Sequence, residues 1–546
     1  MLSRVTFLCC LIVFCHAHVA WAQPLLQPGM TVVTHLPTDT TTDYVLQVFD
    51  TRNVVAVATP GSNWSMNCLL PPLPQNAQQW KYNRMGEVFG VTIDGDANIY
   101  AASGRFLNDV IGQVGTAGAG GIYRINANDW SVSDFVVTDP NPSTSSTSMI
   151  PNTGCGLGNI TYDKWHDQLF ATNMEDGKIY RIGTNGTILS TFDPFTADDG
   201  TPGVTAFGDI LWGIGVYQDT AGNCRVYFSN WTYSAGGPAL NSPFDKNTVW
   251  SVALDAAGNF TGTEQLEISS PDYMTPWGLR NGRSISCINF SSTGTMLLAE
   301  RTMFNTSSAN AHESRVLTFE SVAGTWTLLR SYHVGIVGYQ DGLAANCAGG
   351  ADFAYADSDP SDTLNGCEEL IWCTADAIKR GIENPDNSPD NVYGLAGLPI
   401  AGNSVNVSAT DFVYTNSYMV DLNNDITDIP KTFMGSCAVL RTCFNDDTAI
   451  VDPPNDSCDT SPCMLVNVIT PNGDNRNDVL SFDCATGTGW KLEVFNRWGD
   501  RVYTSNNYLN DWNGDQLSEG VYYYILTSPC DGHRDNGFFH LLRAEQ

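Results

Sequence analysis

One short pattern, repeated along the chain, restricts what this sequence can fold into more than any other feature. A Gly or other small residue opens a brief apolar strand, an Asp- or Asn-bearing turn follows, and a second apolar strand completes the unit. Instances are Gly90–Tyr100, Gly158–Asn173, Gly213–Asn230, Ser286–Glu300 and Gly350–Thr374. They recur at intervals of roughly 55 to 70 residues. Downstream of each lies a third apolar strand: Gly121–Ile125, Lys178–Ile182, Thr248–Val252, Arg315–Phe319 and Asn391–Leu395. Three or four short strands per repeat of this length is the arithmetic of a β-propeller blade. Five units are visible. A sixth is expected from Tyr44–Phe49 and Val54–Val57 pairing with Ser417–Asp421, which closes a ring with both ends of the domain. The expected fold class is all-β, a propeller of about six blades followed by a small immunoglobulin-like β-sandwich.

Composition agrees. Charged residues are 15% of the 546, and Gly alone numbers 50, which suits short strands joined by many polar turns. With 26 Lys+Arg against 58 Asp+Glu the net charge is −32. That excess repels phosphate backbones and anionic headgroups, so a nucleic-acid partner is excluded.

Residues 1–22 read as a secretory signal peptide. Arg4 precedes an apolar run from Val5 to Phe14, and Ala20 and Ala22 stand at the −3 and −1 positions of a cleavage site. The run is too short to span a bilayer. Its removal leaves 25 basic against 58 acidic residues, −33. No later stretch is apolar enough for membrane insertion, so the expectation is a soluble exported protein. Three of the 16 Cys leave with the leader and 13 remain. In an oxidising compartment most should pair. Near pairs are Cys367 with Cys373, Cys437 with Cys443 and Cys458 with Cys463, and Cys484 with Cys530 would staple the last domain. No His clusters with these Cys in sequence, which argues against zinc.

The propeller is expected over 23–443. Residues 444–463, rich in Pro, Asp and Ser without apolar periodicity, read as a linker. Residues 464–546 are short alternating strands with strong turns. Lys491–Phe495 and Arg501–Tyr503 flank a tight hairpin at Gly499, and Gly520 opens a strand apolar on both faces and therefore central. Pro471, Asn472, Gly473, Asp474, Asn477 and Asp478 form one oxygen-crowded turn. Asn496, Arg497, Trp498 and Gly499 follow, then Trp512 and Gly514, then Gly520 and Tyr522, then Arg543.

In that order these residues resemble the gliding-motility-associated C-terminal domain, the type B sorting domain of the type IX secretion system of Bacteroidetes. The resemblance covers the last 80 or so residues. It implies export across inner and outer membranes, recognition by the type IX machinery, an outer-membrane docking partner, and retention at the cell surface. The oxygens of Asn472, Asp474, Asn477 and Asp478 either cap their own turn or hold Ca²⁺, and capping is favoured. Trp498 and Trp512 are expected to plug the ends of the sandwich.

For the propeller, GxSxG, HExxH, P-loop and Gly-rich nucleotide turns are missing, and no catalytic residue is assigned. Aligned second strands put Ser103, Asn173, Asn230 and Glu300 at equivalent exits, with Asp376 close by in the fifth unit. Asn173, Asn230, Glu300 and Asp376 would form an oxygen-rich ring suited to a divalent cation such as Ca²⁺. It resembles the metal ring of gluconolactonase-type propellers, although polar strand ends also simply solvate turns. Two functions follow. The favoured one is a non-catalytic adhesion module for a glycan or protein ligand. The other is a secreted lactonase-like hydrolase or lyase using a central metal.

Overall fold

The computed structural model describes residues 25–36, 44–53, 63–65, 69–104, 114–118, 120–138, 156–174, 176–195, 210–231, 247–269, 282–305, 308–309, 314–335, 345–355, 368–379, 392–400, 418–422 and 433–441. Near the C-terminus it describes 468–472, 477–482, 491–498, 501–505, 508, 510, 512–514, 517–527 and 534–543. The leader, Val54–Val57, the 444–463 segment, Gly473, Asp474 and Gly499 lie outside them. Among the described residues no helix is long and apolar enough to cross a membrane. The chain divides into two compact units, Met1–Asn445 and Asp446–Gln546.

Unit 1 is all-β, as its strand–turn–strand periodicity requires. The first sheet runs Val88–Ile93, Ile99–Ser103, Ile122–Ile125, Val132–Val136. The second runs Leu157–Asp163, Gln168–Asn173, Ile179–Gly183, Ile188–Phe192. The third is Ile210–Gln218, Cys224–Trp231, Asn247–Leu254, Phe260–Ser269, and the fourth Gly282–Phe290, Met296–Asn305, Val316–Val322, Thr325–Tyr332. Cys347–Ala354, Leu370–Lys379, Val392–Pro399 and Tyr418–Asp421 make the fifth. All these neighbours are antiparallel.

The sixth sheet differs from expectation. Its first strand is Phe433–Val439, which pairs antiparallel with Thr31–Leu36, which in turn pairs with Leu46–Phe49. Tyr418–Asp421 belongs instead to the fifth sheet, where Asn63–Ser65 adds to it in parallel. The expected joining of both chain ends is present, with different strands. The polar Thr31, Thr34 and His35 mask the strand pattern of Thr31–Leu36, which is buried up to His35.

The six first strands pack on one another in order. Val88–Ile93 lies against Leu157–Asp163, then Ile210–Gln218, Gly282–Phe290, Cys347–Ala354 and Phe433–Val439, and the last returns to Val88–Ile93. Each adjacent pair of sheets encloses its own apolar core. Tyr100 and Ile122 of the first sheet meet Leu157 and Leu169 of the second. Between the last and the first, Val32 and Val48 meet Val91 and Ile99. Along one strand the alternation decides which core a residue enters, so Ala101 and Ala102 point into different ones. Close approach at the first strands demands small residues. A Cβ on Gly158 would lie 2.8 Å from Trp212 Cα, and one on Gly350 2.5 Å from Ser436 Cα.

Three turns repeat one Asp-x-x-x-Asn clasp. Asp94, Asp219 and Asp255 each accept the backbone N–H groups two and four residues on, and the Asn side chain at the fourth position donates back to the same carboxylate.

Two expected disulfides are corrected. Cys373 and Cys437 are free, buried thiols, as are Cys224, Cys287 and Cys347. Strand geometry aims them into the cores between sheets, Cys437 Sγ lying 3.5 Å from the Trp372 carbonyl oxygen. The other cysteines of the expected pairs lie outside the described residues.

In unit 2 one five-stranded sheet has the order Val468–Ile469, Arg534–Leu541, Gly520–Thr527, Lys491–Phe495, Arg501–Ser505. The strand opened by Gly520 is central, as its apolarity on both faces implied. Its core gathers Leu492, Val494, Tyr524, Leu526 and Phe539.

Candidate functional site

Every first strand of unit 1 carries a register break near its start, and the six breaks fall at one end of the sheets. They lie at Val88/Gly90, Leu157/Ile160, Leu211/Ile214, Ile285/Cys287, Cys347/Ala351 and, where Thr31–Leu36 pairs with it, Met434/Cys437. A bulge bends its strand and re-aims side chains. The residues facing the start of each break are Ser103, Asn173, Asn230, Glu300, Ala375 and His35. Four of these are the strand exits aligned from sequence. In the fifth sheet the place belongs to Ala375, and Asp376 is one residue on.

The candidate ligands are buried, and arginines answer both carboxylates. Arg315 donates from Nε to Glu300 Oε2 at 2.9 Å and from Nη2 to Oε1 at 2.7 Å, and its backbone N–H donates to Oε2 at 2.9 Å. A bidentate guanidinium of this kind occupies both oxygens that a cation would need. Asp376 accepts the Met434 N–H at 3.2 Å, and its Oδ2 lies 3.6 Å from Arg301 Nη1. Asn173 and Asn230 are buried on their own sheets. Asn230 Oδ1 has no hydrogen-bond partner.

Arg301 was not singled out by sequence, although an Arg inside the apolar strand Met296–Asn305 was the available signal. It is 2% exposed. Nη1 donates to the carbonyl oxygens of Ala348 at 2.5 Å and Met434 at 2.9 Å. Burial pulls its guanidinium down from the ordinary value and Asp376 pulls it back up. Nε and Nη2 have no hydrogen-bond partner. The apolar floor here is Phe89, Met174, Trp212 and Trp231, with the Phe89 and Trp212 rings 5.4 Å apart.

A charged clasp joins three sheets elsewhere in the unit. Arg441, just after the sixth sheet's first strand, lies 3.1 Å from Asp352 and 2.5 Å from Glu368. Glu368 also accepts the Ser292 N–H from the fourth sheet's first turn. Burial pushes the Asp352 carboxyl up, outweighing Arg441, whose guanidinium is shared with Glu368.

Folding also brings together Asp163, His166 and Cys224, with ligand atoms within 4.8 Å of one another. This corrects the expectation that no His clusters with a Cys, since the three meet across two adjacent sheets. Asp163 already accepts from Trp165 N–H, His166 Nδ1 and Gln168 Nε2, contacts that close its own turn.

In unit 2 the sequence motif is a set of turn locks. Asn472 N–H donates to Asp478 Oδ1 at 2.9 Å, and Asn477 takes φ +54°; these are capping contacts. Pro471 lies beside this turn. Arg543 donates from Nη2 to the Gly514 carbonyl and from Nε to that of Leu517. Gly514, at φ +71°, sits against Leu541. Tyr522 OH donates to Ser518 O at 2.7 Å. Trp512, partly buried, stacks on Tyr503 at 4.9 Å and packs against the unit 2 core. Trp498 is a correction: it is 77% exposed. Asn496 Oδ1 accepts its N–H at 3.0 Å and fixes the turn so that the indole faces out, under the Arg497 guanidinium at 5.1 Å.

Residues 463–541 match the CHU_C type IX secretion signal domain. This C-terminal signal marks the chain for export across the outer membrane to the cell surface or the extracellular space, through interaction with that secretion machinery. None of the curated proteins matches the chain. Among solved structures it is similar to PorZ of Porphyromonas gingivalis, a surface component of the type-IX secretion system, with 12% identity and TM-score 0.29. That likeness covers 94% of this chain and 58% of PorZ, so the chain spans little more than half of that protein. A Lactobacillus plantarum protein is similar at 11% identity and TM-score 0.36, over 75% of this chain and 99% of its own. An endo-1,4-beta-xylanase of Bacteroides thetaiotaomicron is similar at 14% identity and TM-score 0.28, over 59% of this chain and 93% of its own.

Proposed function

We propose that residues 23–443 are a six-bladed β-propeller that binds a glycan or protein ligand, and that residues 464–546 are a β-sandwich that delivers it to the cell surface and docks it to an outer-membrane partner. Support for the propeller comes from six sheets whose first strands pack in a closed order, with a separate core at each junction. Residues 444–463 serve as the tether between the two.

The observation that carries the binding role is the bulged end of the sheets. Buried polar atoms of Ser103, Asn230, Ser284 and Arg301 lack protein partners there, and sealed polar groups of this sort are costly unless something pairs with them. The hydrolase or lyase reading needs open carboxylate oxygens for its metal. Arg315 on both oxygens of Glu300 and Arg301 beside Asp376 favour a binding role over that one.

The test has two arms. Purified mature protein on a glycan array and in a surface-protein pull-down should retain a defined ligand. Silence in both assays, together with turnover of a lactone or polysaccharide that a chelator abolishes, would replace binding with catalysis. Deleting residues 464–546 should hold the remainder in the periplasm, and normal display of the truncated chain would overturn the delivery role.

A further inference from the structure

Three side chains with the donor set of a transition-metal site meet where the second and third sheets of unit 1 adjoin. Asp163 ends the strand Leu157–Asp163, His166 stands in the turn that follows, and Cys224 opens the strand Cys224–Trp231. One ligand atom from each, a carboxylate oxygen, a ring nitrogen and the sulfur, lies within 4.8 Å of the other two. All three therefore converge on one point. It lies at the end of the sheets away from the register breaks, which fall near the starts of the first strands.

The third sheet holds this group from the side. His166 Nδ1 lies 2.7 Å from Asp163 Oδ2. Gln168 Nε2 donates both to Asp163 Oδ2 at 2.9 Å and to the Gly258 carbonyl oxygen at 3.0 Å. A Cβ on Gly258 would lie 2.9 Å from His166 Cβ, so the turn carrying that glycine sits directly against the histidine. Asp163 and Cys224 are buried. The His166 side chain keeps 11% of its surface in solvent, which is the way in for an ion.

The donors select the ion. Sulfur and imidazole nitrogen suit borderline and soft metals, whereas Ca²⁺ and Mg²⁺ take oxygen. Zinc–ligand bonds of about 2.0–2.3 Å put the donors of a tetrahedral site about 3.3–3.8 Å apart, so side-chain adjustments of about 1 Å close the group around zinc. Charge balances as well. A carboxylate and a thiolate together cancel a divalent cation, so the buried site carries no net charge.

We propose that Asp163, His166 and Cys224 bind one zinc ion, with water as fourth ligand on the solvent side of His166, and that the ion ties the second sheet to the third. On binding, the Cys224 thiol gives its proton to solvent and the sulfur's electron pair goes to zinc. The imidazole binds neutral, through the nitrogen that carries no proton.

The test uses the full mature protein, stripped with a chelator under reducing conditions and reloaded with zinc or cobalt. Elemental analysis after dialysis should find about one zinc per chain. Cobalt in its place should give a thiolate-to-cobalt charge-transfer band in the near ultraviolet. Calorimetry at slightly alkaline pH, in buffers of different ionisation enthalpy, should show about one proton released per ion. Zinc should raise the melting temperature of the stripped protein. Cys224→Ser should abolish the cobalt band, and Cys224→Ser and His166→Gln should each weaken zinc binding about 100-fold or more. Should Cys224→Ser not fold, His166→Gln in its half-buried turn and the cobalt spectrum of the unaltered protein decide. Zinc held as tightly by either folded variant sits on other residues and overturns the inference. No zinc uptake, uptake without the cobalt–thiolate band, or a preference for Ca²⁺ over zinc overturns it equally. The ligand-binding role stands or falls separately.

Discussion

Thr34 donates its hydroxyl to the carbonyl oxygen of Phe89 at 2.5 Å while accepting the Ser436 N–H at 3.0 Å. The two residues belong to the last and the first sheets of unit 1. The same device recurs at other junctions: Thr172 donates to Trp212 O, Ser229 to Ile285 O and Thr374 to Gly435 O. Each hydroxyl also accepts the N–H that its own sheet's bulge frees. In the fourth sheet, where Ala299 replaces the hydroxyl, Ser286 donates to Gly349 O at 2.8 Å. Bulge and hydroxyl together satisfy backbone groups that the register break would orphan.

Replacing Thr34 with Val removes both bonds at the closure between the chain ends. The expected loss is about 1–3 kcal/mol, read from urea unfolding. Hydrogen exchange should quicken across Phe433–Val439. Thr220→Val, on an exposed turn, should change stability by about 0.5 kcal/mol or less.

Arg441→Met strands Asp352 and Glu368 as buried carboxylates. Breaking one side of such a group costs about 3–5 kcal/mol. Asp352 also sets a pH dependence. Burial raises its folded pKa above 3.8, so the folded state holds that proton to higher pH than the unfolded chain does. Its contribution therefore falls as pH rises from about 4 through the folded value. Measured against Asp352→Asn, the unaltered protein should lose relative stability over that window, and a gain there would refute the assignment.

Cys224, Cys287, Cys347, Cys373 and Cys437 should resist alkylation in the native protein and react in denaturant, mapped by peptide mass spectrometry. Burial pushes the Cys287 thiol up to about 12 and raises the other resolved thiols as well, so thiolate is scarce at neutral pH. Rapid native labelling of Cys373 or Cys437 would contradict their placement in the cores.

Trp498→Ala and Trp512→Ala should separate display from folding. Trp512 is partly buried against the unit 2 core, and its loss should cost about 1–3 kcal/mol. Trp498 is 77% exposed, and its loss should leave stability within about 0.5 kcal/mol while reducing the exported fraction. Unchanged export of Trp498→Ala would remove that indole from the recognised surface.

The repeating units, the two-part organisation and the C-terminal address were legible in the residues alone. Each rests on local information: strand alternation, turn residues and an ordered string of motifs, all readable within a few dozen residues. Long-range packing set the rest: Thr31–Leu36 completes the sixth sheet, Cys373 and Cys437 face cores, Trp498 points outward and Arg315 claims Glu300. It also brought Asp163, His166 and Cys224 together and left one edge of Arg301 unanswered. Those outcomes depend on which partner lies across a strand or a sheet junction. Phe433–Val439 reaches Thr31–Leu36 across about 400 residues of chain, and no local pattern encodes a contact of that separation.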